Sequence, residues 1–121
     1  MPDWSIKIVP AGTGGGAAFL PDLKGAHPGD PLKAWQDDLV SWKNTTRETH
    51  QIELVSLVWT SGTSTPVFET KPIPAAGSSR PSYDVAQPDA KPEPSSWTVH
   101  YRCKLHPQEQ GTIVATGYPT S

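Results

Sequence analysis

From Trp97 to Leu105 the chain reads Trp-Thr-Val-His-Tyr-Arg-Cys-Lys-Leu, apolar and polar residues in strict alternation. A period of two is that of a β-strand, whose successive side chains leave on opposite faces. Trp97, Val99, Tyr101, Cys103 and Leu105 are therefore expected to face a core, with Thr98, His100, Arg102 and Lys104 toward solvent. A slip of one residue would expose the whole apolar set, so the pattern fixes register as well as type. The rest of the chain points the same way. Fourteen prolines and 10 glycines among 121 residues leave little room for long helices, because an interior proline removes a backbone donor and clashes with the preceding turn. Trp4, Ile6 and Ile8 repeat the alternation. Ile52 and Leu54 share one parity while Val55, Leu57 and Trp59 share the other, which predicts either a bulge or burial on both faces of a central strand. Further segments are expected at 17–20, 32–35, 39–43, 78–85 and 112–116, those at 32–35 and 39–43 forming a hairpin about Gln36-Asp37-Asp38. Trp42 and Trp97 are the tryptophans expected in the core. Seven or eight short strands separated by turns predict an all-β Greek-key sandwich, one domain over residues 1–121.

Charge and composition exclude several classes of function. A formal net charge of −2 and a pI near 6.0 give no basic surface for nucleic acid. No stretch approaches the roughly 18 apolar residues of a membrane span. The opening Met-Pro-Asp-Trp lacks the basic and apolar regions of a signal peptide, which fits either a cytosolic protein or a trimmed mature form. A single cysteine excludes an internal disulfide and leaves the thiol free. The glycine-rich loop 11–16 lacks the Gly-Lys-Ser/Thr ending and following helix of a phosphate-binding loop. Asp37-Asp38 reads as a turn rather than an acid–base pair, and Cys103 has no helix N-terminus to activate it as a protease nucleophile.

The chemistry gathers where the alternating strand ends. Cys103-Lys-Leu-His106-Pro-Gln-Glu109-Gln-Gly111 places a thiol three residues before an imidazole on a loop bounded by proline and glycine, a spacing that suits metal binding. His50 precedes the apolar run 52–59, and two adjacent strands would bring it to Cys103 and His106. Thiolate with imidazole is a ligand set for copper or zinc, not for magnesium or calcium. Asn44, between the Trp42 strand and the His50 loop, is expected to tie that loop to the cysteine loop from behind the ligands. His27 lies in a Pro/Gly-rich loop and His100 on the outward face of its strand, and neither is expected to bind metal.

Val40-Ser-Trp42-Lys-Asn44 followed by His50, and Tyr101-x-Cys103-x-x-His106-Pro107 followed by Gly111, together resemble the two signature runs of the cupredoxins, the small blue-copper proteins of the plastocyanin and amicyanin type. The resemblance covers roughly residues 32 to 115. It implies a β-sandwich with one copper ion in the loops at one end, held by His50, Cys103 and His106, and single-electron transfer as the activity. Shorter-loop members of that family carry an axial methionine three residues after the second histidine. Here that position is Glu109, and the only methionine is Met1. Glu109 is thus the aligned fourth ligand, with Gln110 as the alternative, since stellacyanin-like members use a glutamine amide. A carboxylate favours Cu(II) over Cu(I) and makes the set acceptable to zinc as well. The resemblance further implies a redox partner docking transiently near His106, and an electron-transfer or metal-binding role in preference to an enzymatic one, with the enzyme question left open. A monomer is expected. It also favours a periplasmic or extracellular location, with a cytoplasmic one still open. A metal-holding module for Cu(II) or Zn(II) is the alternative function, followed by a small copper enzyme with an open coordination position.

Overall fold

The computed structural model describes residues 2–12 and 15–118. Thr13 and Gly14 of the glycine loop, and both ends of the expected domain, lie outside the described residues. Among the described residues, nine strands make two mixed sheets. The first contains β1 (Asp3–Pro10), β2 (Ala17–Pro21), β4 (Leu39–Asn44) and β7 (Tyr83–Asp84), in the order β2-β1-β4-β7. The second contains β3 (Leu32–Trp35), β5 (Ile52–Trp59), β6 (Gly62–Ser64), β8 (Ser96–Cys103) and β9 (Gln110–Thr116), in the order β3-β9-β8-β5-β6. The pairs β1–β4 and β3–β9 are parallel, and every other pair is antiparallel. Among the described residues there is no helix, hence none long and apolar enough to cross a membrane.

Inward-facing residues of both sheets share one core. Ile6, Ile8, Val40 and Trp42 come from the first sheet; Leu32, Ile52, Leu57, Trp97, Val99, Tyr101 and Ile113 come from the second. Tyr101 is the joint between the layers. Its ring meets Phe19 edge-on with centroids 4.9 Å apart and Trp42 at 5.1 Å, the edge-to-face geometry that aromatic quadrupoles favour. Both tryptophans expected in the core, Trp42 and Trp97, are buried.

Alternation predicts β8 well as far as Cys103, and Leu105 breaks the pattern. It is 49% exposed, because the strand ends at Cys103 and Leu105 lies inside the turn closed by His106 N donating to Cys103 O at 3.2 Å. The split parity of 52–59 resolves as a bulge. The register of β5 against β8 shifts between Leu54 and Ser56, so Ile52 and Leu54 face inward before it and Leu57 after it.

The expected hairpin at 32–43 does not form: β3 belongs to one sheet and β4 to the other. The Gln36-Asp37-Asp38 turn is a corner between layers. Gln36 N donates to Thr116 O at 2.8 Å, holding the end of β3 on β9, while Leu39 N donates to Pro2 O at 3.2 Å and starts β4 beside β1. Asp37 makes the corner with a φ of 71°. The buried Asp38 carboxylate pins it, accepting from Trp35 N at 2.9 Å and from Trp4 Nε1 at 2.7 Å. Of the segment expected at 78–85, only Tyr83–Asp84 is a strand, with an isolated bridge from Ser78 to Lys43. The three-residue β6 was not expected and raises the number among the described residues to nine; it carries too little alternation to be read from sequence.

Candidate metal centre

Local backbone geometry brings the ligand candidates together in two steps. Ile52 pairs with Cys103 across the β5–β8 ladder, and His50 lies two residues before Ile52, on the same side of the extended chain. His50 is held there by a two-way backbone bridge to Ile73, its N to Ile73 O at 3.1 Å and Ile73 N to its O at 2.6 Å. After Cys103 the loop makes two consecutive turns. His106 N donates to Cys103 O at 3.2 Å and Glu109 N donates to His106 O at 2.9 Å, and Cys103 N in turn donates across the loop to Glu109 O at 3.0 Å. Each turn returns residue i+3 to the neighbourhood of residue i. The three-residue spacing of Cys103, His106 and Glu109 is therefore the turn repeat itself. Pro107 occupies the second position of the second turn, where its fixed φ suits the backbone.

Four donor atoms converge as a result. Cys103 Sγ lies 3.4 Å from His50 Nδ1 and 3.5 Å from His106 Nδ1. Glu109 Oε1 lies 3.3 Å from His50 Nδ1 and 3.5 Å from His106 Nδ1. All four lie within 4.8 Å of one another. Such separations match donors that share one ion at bond lengths of about 2.0–2.3 Å. The chemistry of the set fits too, with one thiolate, two imidazole nitrogens and one carboxylate oxygen. Glu109 Oε1 adds an independent sign: it is buried and has no hydrogen-bond partner. The two histidine Nδ1 atoms beside it, at 3.3 and 3.5 Å, donate only when protonated. A buried carboxylate oxygen left in that state is costly, and a cation between it and its neighbours removes the cost.

His50 is 1% exposed and Glu109 6%. Burial pushes the His50 imidazole below its ordinary value of 6.5, against the opposing pull of Glu109. Burial thus favours the neutral ring, the form that ligation demands. His106 differs. Its side chain is 31% exposed, and its outer Nε2 lies 3.7 Å from the exposed Glu48 carboxylate. It is the one member of the cluster that meets solvent at its edge.

Glu109 is aimed by a residue that sequence reading left unremarked. Its Oε2 accepts from Ala17 N, at the start of β2, at 2.9 Å, which leaves Oε1 for the cluster. Gly16 lies so close that a Cβ there would stand 3.5 Å from Oε2, and its φ of 80° suits glycine. The glycine-rich loop, which lacks a phosphate-binding signature, thus ends on the carboxylate. Gln110 points away from the cluster: it is exposed, and its Nε2 donates to Pro107 O at 3.3 Å. Asn44 is fully buried, continuing the inward parity of Val40 and Trp42. Its amide, expected to reach the cysteine loop, instead serves the histidine loop and its neighbour, donating to Glu48 O at 2.6 Å and Ile73 O at 3.0 Å. The reason is distance along the strand: Asn44 ends β4 in the first sheet, above residues 46–50, while Cys103 ends β8 in the second. Thr46, which the sequence marked only as part of a polar loop, donates its hydroxyl to Asn44 Oδ1 at 2.7 Å and contacts His50 Nε2 at 3.0 Å. His27 is exposed and His100 lies on the outer face of β8, both apart from the cluster.

No family model matches the sequence, and no curated protein matches it. Solved structures do match. A purple cupredoxin from Nitrosopumilus maritimus aligns over 93% of this chain and 98% of its own, with a TM-score of 0.57 and 14% identity. Amicyanin variants in reduced Cu(I) and oxidized forms align over 70% of this chain and 68% of theirs, at a TM-score of 0.49 and 19% identity. The chain has the cupredoxin fold, an all-β sandwich.

Proposed function

We propose that this chain of cupredoxin fold is a single-domain copper protein, holding one ion through His50 Nδ1, Cys103 Sγ, His106 Nδ1 and Glu109 Oε1, and that it passes single electrons. The observation that carries the reading is the convergence of these four atoms, each imidazole nitrogen 3.3 to 3.5 Å from the sulfur and from the carboxylate oxygen, that oxygen being buried with no hydrogen bond to satisfy it. Bound copper would supply a one-electron couple. The protein's part is to hold the donors in place: the β5–β8 ladder fixes His50 against Cys103, the two turns fix His106 and Glu109, and the Ala17 amide aims the carboxylate. Donors fixed before the electron arrives need little rearrangement when it does.

His106 is the proposed port. Its exposed edge, beside the exposed Leu105 and Pro107, offers a small apolar rim suited to a weak and transient contact with a redox partner. A periplasmic or extracellular site of action accompanies this reading. The second reading, a module that holds Zn(II) or Cu(II) without turnover, is favoured by Glu109, since two histidines, a cysteine and a carboxylate also form a four-ligand zinc set. A copper enzyme with an open coordination position has less support, because both His50 and Glu109 are nearly inaccessible.

Loading the apo-protein with Cu(II) and recording visible and EPR spectra, together with a redox titration and a zinc titration, separates these readings. Electron transfer requires an intense thiolate-to-copper band and a reversible couple. A colourless protein that prefers zinc supports the second reading. Cys103→Ser should abolish the band, and colour that survives this change would refute the ligand assignment.

A further inference from the structure

The geometry points to Thr46 as the residue that sets which nitrogen of His50 carries the proton, by accepting the His50 Nε2–H and so leaving the Nδ1 lone pair turned toward Cys103 and Glu109. Three side chains, Asn44 and His50 buried and Thr46 half-buried between them, have donor and acceptor roles that are forced in sequence. Asn44 comes first. Its amide nitrogen lies 2.6 Å from Glu48 O and 3.0 Å from Ile73 O. Both are carbonyl oxygens that only accept, so the nitrogen must face them and Oδ1 must face the other way. Oδ1 there accepts from Thr46 N at 2.9 Å and lies 2.7 Å from Thr46 Oγ1. An amide oxygen has no proton to give, so the Thr46 hydroxyl donates to it.

A hydroxyl has one proton and two lone pairs. Glu48 O also lies near Thr46 Oγ1, at 3.1 Å, but Asn44 Oδ1 is closer by 0.4 Å (3.1 − 2.7) and takes the proton. The lone pairs are left to accept, one from Glu48 N at 3.3 Å and one from His50 Nε2 at 3.0 Å. The imidazole must then present a proton at Nε2. A neutral ring carries only one N–H, so in that form Nδ1 has none, and its lone pair faces Sγ at 3.4 Å and Oε1 at 3.3 Å. Without Thr46, the neutral ring would place its proton at Nδ1, where the Cys103 sulfur and the Glu109 carboxylate both attract it. That tautomer cannot ligate through Nδ1. Thr46 is thus a positioning residue: it touches no ligand atom of the cluster and acts through the far side of the His50 ring.

The inference rests on His50 being a ligand through Nδ1, and its test is arranged to stand apart from that reading. The 15N shifts of the His50 ring in the metal-free protein, recorded at about pH 8 where a neutral imidazole is assured, report the tautomer directly. Wild type and Thr46→Ser should show the proton at Nε2, and Thr46→Val should move it to Nδ1. Zinc affinity, measured by competition with a chelator, should fall by about 10- to 100-fold in Thr46→Val and recover in Thr46→Ser, which keeps the hydroxyl. A wild-type ring protonated at Nδ1 would overturn the inference, and so would a Thr46→Val protein with an unchanged tautomer or unchanged zinc affinity. Should Thr46→Val not fold, the wild-type and Thr46→Ser spectra still decide the matter. Failure of the wild type to bind zinc or copper at all would refute the metal centre while leaving the tautomer measurement to judge Thr46.

Discussion

At Glu109 one carboxylate oxygen is clasped by the Ala17 amide and the other lies buried against two imidazole nitrogens with no hydrogen bond of its own. That asymmetry predicts the effect of replacing it. A negative oxygen at the ion favours Cu(II) over Cu(I), so Glu109→Gln and Glu109→Met should both raise the reduction potential of the copper-loaded protein, with methionine giving the larger rise. Redox titration checks this, and an unchanged potential would mean that the carboxylate does not reach the ion. Zinc binding should weaken in both variants, by at least about tenfold, since loss even of a group behind the ligands costs that much. Residue identity was legible in advance for Cys103, His106 and Glu109, because a spacing of three is visible in any sequence. Thr46 and Ala17 were not legible. A threonine in a polar loop and a backbone amide carry no signal of what they will touch.

Among elements, β8 and β9 hold the site's loop between them, and Gly111 at the start of their pairing makes their approach possible. Gly111 lies opposite Tyr101 in the ladder, and a Cβ at that position would fall on the Tyr101 phenol. Tyr101 cannot give way, since its ring is wedged between Phe19 and Trp42. Gly111→Ala should therefore destabilise the fold by about 1–3 kcal/mol, as overpacking of a dense core does, and shift the Cys103–Glu109 loop. The denaturant midpoint of the apo-protein measures the first effect and the copper-loaded spectrum the second. The strands themselves differ in how far sequence gave them away. Strand β8 was readable because one face is core and the other is not. Strand β5 was readable only as a choice, which the bulge between Leu54 and Ser56 decided. The pairing of β3 with β4 was misread because turn residues at 36–38 look alike whether a chain doubles back or crosses to another sheet. The buried Asp38, bonded to Trp35 N and Trp4 Nε1, makes the difference, and its partner Trp4 is 34 residues away.

For the molecule as a whole, the buried imidazole of His50 links folding to pH. Its ionisation lies below 6.5 in the fold because burial disfavours the charged ring. The unfolded chain therefore binds the proton more readily than the folded one between 6.5 and the lowered folded value, and stability rises with pH across that window. The contribution is undiminished above 6.5 and is lost progressively as pH falls through the window. Thermal denaturation of the apo-protein should show this acid-side decline, and His50→Gln, which has no such group, should flatten it. Metal loading should raise the melting temperature at neutral pH by mass action, by about 2.7 kcal/mol of stability at a free-ion concentration 100 times the dissociation constant, and Cys103→Ser should remove most of that gain.

Sequence by itself determined the fold class, the inward face of β8 and the three-residue rhythm of Cys103, His106 and Glu109, because each depends on a short-range period that strands and turns impose on neighbouring residues. Only the tertiary structure decided that 36–38 is a corner between sheets, that Ala17 and Thr46 aim Glu109 and His50, and that the amide of Asn44 serves the histidine loop rather than the cysteine loop. Those outcomes rest on hydrogen bonds between segments up to 92 residues apart, formed wherever a buried donor must find an acceptor, and no local pattern records which partner the packed chain will bring.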